Sequence, residues 1–148
     1  MILDERTEFC DATSAILAFG ATGAILGDVV DLGATPTLRD IGNGEPIYLV
    51  IQVDTTFVGA TSTTTFELAS DSTANLATSR TTHWISSAIP VATLVAGYTI
   101  VAAIPPGLAY ERYLGLWETV GTANVTAGKV NAFLTKDYAK WAPYSDQF

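Results

Sequence analysis

The sequence has one cysteine, one histidine and only seven Lys and Arg in its 148 residues. The single cysteine, Cys10, cannot close an intramolecular disulfide, which excludes a disulfide-stapled secreted scaffold. It reads as a small hydrophobe or a loose thiol near a terminus. The single histidine, His83, is the sole candidate base for a nucleophilic triad. It falls inside a strand pattern beside Trp84, away from any Gly-x-Ser-x-Gly elbow, and reads as a partly buried strand histidine. One His and one Cys cannot build a zinc site without several carboxylates. Asp71 with Ser72, Thr73 and Asn75 is a sparse oxygen cluster, read as a solvated turn rather than a calcium loop. Glu45, Glu67, Glu111 and Glu118 are available for carboxylate chemistry, but nothing marks a pair. The expectation is therefore a protein that is not an enzyme, with no catalytic, metal or cofactor site.

The shortage of cations has its own consequence. Fifteen acidic residues against seven basic ones leave a net charge of −8. Phosphate binding needs clustered Lys and Arg, so nucleic acid and anionic membranes are disfavoured as partners. An acidic surface instead keeps crowded copies soluble or docks on a basic patch of another protein. No apolar run approaches the roughly 20 residues of a membrane span. The segment from Val91 to Ile104 comes nearest, is interrupted by Gly97 and Thr99, and reads as two buried strands with a turn. The opening Met1-Ile2-Leu3-Asp4-Glu5 turns acidic where a secretory signal stays basic and then apolar, so no signal is expected.

What is abundant is β-forming material. Apolar residues make up 49% of the chain, enough to build a core, and Thr is frequent, as in Thr61-Ser62-Thr63-Thr64-Thr65. Short strands are expected at 28–33, 47–53, 64–69, 81–86, 98–104, 112–120 and 126–134, each bounded by Gly, Pro or Asn turns. The clearest is Ile47-Tyr48-Leu49-Val50-Ile51-Gln52-Val53, opened by Pro46 after a turn at Gly42-Asn43-Gly44. Its near-continuous apolar run predicts burial on both faces. In 112–120, Tyr113, Gly115, Trp117 and Thr119 face one way, Leu114, Leu116 and Glu118 the other. Ile89-Pro90 breaks the strand before it. No stretch carries the amphipathic helices of α/β units. The fold class is all-β: a jelly-roll-like antiparallel β-sandwich of about eight strands, with an extended N-terminal arm and a C-terminal tail.

Three regions follow. Residues 1–27, poor in bulky anchors beyond Ile16, Leu17 and Phe19, form an N-terminal arm or a first strand. Residues 28–135 form the sandwich. Residues 136–148 form an aromatic tail that docks either on its own sandwich or on a neighbouring subunit.

The stretch from Asp31 to Lys136 resembles the jelly-roll capsid cement (decoration) proteins of short-tailed bacteriophages. The marks are Asp31-Leu32-Gly33, Arg39-Asp40-Ile41-Gly42-Asn43-Gly44-Glu45-Pro46, Ser87-Ala88-Ile89-Pro90, Leu94-Val95-Ala96-Gly97, Pro106-Gly107, Arg112-Tyr113-Leu114-Gly115-Leu116 and Thr126-Ala127-Gly128-Lys129-Val130-Asn131-Ala132, in that order. The resemblance implies a structural virion protein, made in the host cytoplasm. It would sit on the outer capsid surface as a symmetric dimer or trimer and clip junctions between major capsid subunits. Ile2, Leu3, Phe9, Arg39, Glu45, Tyr138, Trp141, Tyr144 and Phe148 are the candidate interface residues. The rival expectations are a carbohydrate-binding β-sandwich of a virion or host-attachment apparatus, and a hydrolase using His83.

Overall fold

A computed structural model describes residues 7–18, 20–34, 45–105 and 107–138. Ten strands run in chain order: β1 (Glu8–Ser14), β2 (Ala24–Ile25), β3 (Val30–Asp31), β4 (Ile47–Gly59), β5 (Thr63–Asp71), β6 (Thr81–Ile85), β7 (Ile89–Pro90), β8 (Thr99–Ile104), β9 (Tyr113–Gly121) and β10 (Val125–Thr135). They form two antiparallel sheets, ordered β1-β10-β4-β8 and β2-β9-β5-β6, with β3 also on β9 and β7 also on β5. The all-β sandwich expected from the pattern is the fold observed. Its strand total exceeds eight because β2 and β7 are two-residue pairings too short to leave a periodic trace, while β3 is the short core of the strand expected at 28–33.

The core lies between the sheets and follows side-chain alternation. From the first sheet come Leu49, Ile51 and Val53 of β4, with Val130, Ala132 and Leu134 of β10; from the second come Phe66 and Leu68 of β5, with Leu114, Leu116 and Val120 of β9. Each of the larger side chains among them contributes about 1.5–3 kcal/mol by leaving water. Gly128, at φ +152°, brings its backbone against the Phe57 ring, and a Cβ there would meet ring carbons at 2.7 Å.

Two segments differ from expectation, and one takes the second of two open readings. The N-terminal region supplies a full strand: β1 pairs with β10, and the Ala12 N–H donates to Asn131 Oδ1 at 2.5 Å. Ile89-Pro90, expected to interrupt pairing, continues it as β7, with Ile89 opposite Thr64; a proline is tolerated at an edge because its missing N–H faces away from the ladder. The 91–104 segment is one strand rather than two. Val91–Thr93 is a 3-10 turn, and Gly97 at φ +88° turns the chain into β8. The turn at Gly42-Asn43-Gly44 and the anchor Phe19 lie outside the described residues.

Candidate functional site

Two polar constellations and one apolar flank stand out on this frame. The first gathers His83, the sole candidate base. Leu68 pairs with Trp84 and Ala69 with Thr82, so His83 is the extra residue of a β-bulge. A bulge re-aims the side chain it carries, and here Nε2 lies 2.7 Å from Ser70 Oγ. Ser70 Oγ also accepts the Glu111 N–H at 3.0 Å, so the hydroxyl bridges the His83 ring and the 110–111 segment. Burial pushes the His83 pKa down, partly offset by the nearby Glu111 carboxylate, and the Tyr110 ring packs 4.5 Å from the imidazole. Glu111 itself accepts the Thr81 hydroxyl at 2.8 Å.

The Ser–His distance is that of an activated nucleophile, yet Ser70 has 0% of its surface exposed. A nucleophile must reach the atom it attacks. As folded, the pair ties β5, β6 and the 110–111 segment together.

The second constellation covers the outer face of the second sheet. Asp71, expected in a solvated turn, is buried at the end of β5. Burial alone would raise its pKa. The N–H groups of Ser79, Thr73 and Thr78 and the Ser72 hydroxyl outweigh that and hold the carboxyl far below its usual range. Both oxygens are occupied by the loop they organise, and none is left for a cation. The loop folds back over the sheet. Leu76, at φ +48°, is fully buried over Gly115, where a Cβ would sit 2.8 Å from Leu76 Cδ1. Arg80 lies 4.2 Å over the Trp117 ring and donates to Glu67, which also accepts the Thr82 hydroxyl. Gly23 also packs against Trp117, so closely that a Cβ would overlap the indole nitrogen.

Glu118 points inward, as the alternation predicts. It is 3% exposed, one carboxyl oxygen has no hydrogen-bond partner, and burial pushes its pKa up to about 8. Cys10 is buried as well, and its thiol is pushed up to about 12 by burial, so it is an inert core residue rather than a loose thiol. Glu45, Glu67, Glu111 and Glu118 thus have different surroundings: Lys136, Arg80, Thr81 and the core.

Of the candidate interface residues, Phe9 needs correction: at 1% exposure it belongs to the core, where β1 presents it to the opposite sheet. Glu45 is exposed and accepts from Lys136 at 2.7 Å. Tyr138 is half-exposed and rests on the chain's own Tyr48, ring centroids 4.6 Å apart. Ile2, Leu3, Arg39, Trp141, Tyr144 and Phe148 lie outside the described residues. Two segments that carry the resemblance meet in space: Arg112 grips Asp31 through two hydrogen bonds of 3.0 and 2.8 Å.

The flank left no mark in the strand pattern. From Thr81 to Tyr110 the chain contains no Asp, Glu, Lys or Arg. This run forms β6, β7, the 3-10 turn and β8, all along one side of the sandwich. Ile85, Val95 and Val101 are exposed on it at 57%, 48% and 42%. The signal that would have found it is the distribution of charge rather than its total.

The fold and these sites define an acidic β-sandwich whose described polar clusters tie its strands and loops together and whose surface includes one neutral flank. The Bbp16 family model matches residues 13–134, from within β1 to the end of β10, and the chain belongs to the Bbp16 family. No curated protein matches the sequence.

Proposed function

We propose that this chain is a structural virion protein that binds the outer surface of a phage capsid as a homo-oligomer and stabilises junctions between major capsid subunits. The observation that carries the reading is membership of Bbp16, a phage-related family, across essentially the whole sandwich. The physical features agree with it. The two sheets make a stiff spacer. Ser70 of the Ser70–His83 pair is fully buried, and the contact serves packing. An acidic surface with one neutral flank suits many copies arrayed on a shell, where modest contacts are multiplied by symmetry.

The test is addition of purified protein to phage heads that lack it. Saturable binding to the head exterior and retention of DNA at temperatures that empty bare heads are expected. Heads that neither bind the protein nor gain heat resistance at saturation would overturn the reading, and a glycan-array hit under the same conditions would move it to carbohydrate recognition.

A further inference from the structure

We propose that the flank formed by β6, β7, the 3-10 turn and β8 is where two copies of this chain meet, with β8 of one pairing antiparallel to β8 of the other about a two-fold axis. This rests on the homo-oligomer part of the proposed function and not on the capsid.

The placement comes first. β6 ends one sheet, β8 ends the other, and the two lie against each other. The chain between them stays on the same side: Phe57 N–H donates to Leu94 O, and Val53 exchanges backbone bonds with Gly97 and Tyr98. One continuous segment therefore borders both sheets.

The two edges of the first sheet are built differently. β1, at one edge, is bulged twice and carries Glu8 and Asp11, devices that discourage pairing with another chain. β8, at the other edge, pairs with β4 in unbroken register from Ile47↔Ile104 to Gln52↔Thr99 and contains no charge, proline or bulge. Among the described residues its outer side pairs with no strand. A regular, uncharged edge beside exposed Val101 and Ile85 is a template for a further strand.

Charge then selects the partner. Copies carrying −8 repel one another wherever acidic surface faces acidic surface. The flank is where they can approach without that penalty, and interface centres are depleted of charge. A basic partner would be drawn to the acidic faces instead. A two-fold axis makes the flank its own complement. Pairing β8 with β8 would run the sheet through both subunits, with the axis passing between Val101 and Ala102.

The test is sedimentation velocity on the full chain, with Val101→Lys, Ile85→Lys and Val95→Lys on the flank and Ile16→Lys as control. Ile16 is exposed at 58% just beyond the guarded edge. Each lysine moves the net charge toward zero, so a general charge effect would tighten association. A two-copy species is expected for the parent and for Ile16→Lys, with the dissociation constant raised by about tenfold or more in the flank variants. Far-ultraviolet circular dichroism confirms folding; if Val101→Lys misfolds, the other two carry the measurement. A parent chain that stays monomeric at about 100 µM, or folded flank variants that dimerise like the parent, overturns the proposal. A dimer that ignores phage heads sinks the capsid reading alone; a monomer that coats them sinks this inference alone.

Discussion

Glu118 is the residue most at odds with its surroundings. Its ordinary pKa of 4.5 rises to about 8 in the core, so the folded state keeps a proton that the unfolded chain has released. Stability from this group is greatest below pH 4.5, falls between 4.5 and 8, and is level above. By pH 7 the penalty is on the order of 3 kcal/mol. Glu118→Gln, which cannot ionise, is expected to remove that slope and to raise the melting temperature at pH 8; a melting series from pH 5 to 8 reads both. His83 works in the opposite sense. Its pKa is lowered on folding, so acidification below the ordinary histidine value of 6.5 destabilises the protein as the ring is forced to charge. His83→Ala is expected to cost about 1–3 kcal/mol in chemical denaturation, by removing the side chain that shares a hydrogen bond with the buried Ser70 hydroxyl. Alternation places Glu118 inside from sequence alone, because Leu114 and Leu116 share its face. The Ser70–His83 contact was not legible, because it depends on a bulge that shifts register by one residue and leaves no trace in composition.

At the scale of elements, the loop from Ser72 to Arg80 is held by one carboxylate. Asp71→Ala should free the Thr73, Thr78 and Ser79 amides, release Leu76 from Gly115 and uncover Trp117. The expected loss is about 3 kcal/mol, with faster hydrogen exchange confined to those three amides and the outer face beneath them. The same loop shows where the pattern misleads. Thr65, Glu67 and Ala69 form the polar side of a half-buried strand by alternation, yet Glu67 and Ala69 are buried because the loop supplies a partial third layer. The main strands were legible, β4 from its near-continuous apolar run and β5, β9 and β10 from their alternation. The 3-10 turn was not, because Val91-Ala92-Thr93-Leu94 is as apolar as a strand and its geometry is set by the Gly97 reversal.

For the whole molecule, the total charge was readable at once and pointed away from nucleic acid, while its placement was not. A count of −8 says nothing of a neutral side, which exists only because the fold sets β6 beside β8. The flank proposed as an interface comes from the middle of the chain, where no candidate interface residue was placed.

The position of β10 in the first sheet has a consequence for how the chain comes to be folded. It lies between β1 and β4 but follows both in sequence, so Cys10 must find Ala132 and Leu49 must find Leu134 across most of the described chain. Until β10 is available, β1 has no strand partner among the described residues and β4 has only β8. Closing such distant pairs is slow, on the order of milliseconds to seconds. Refolding followed by stopped flow should show that a chain ending before Val125 never forms the first sheet, however long it is given. The open β8 edge is then present on an unfinished sheet, so early self-pairing competes with completion. Refolding yield should fall as protein concentration rises, and Val101→Lys should restore it.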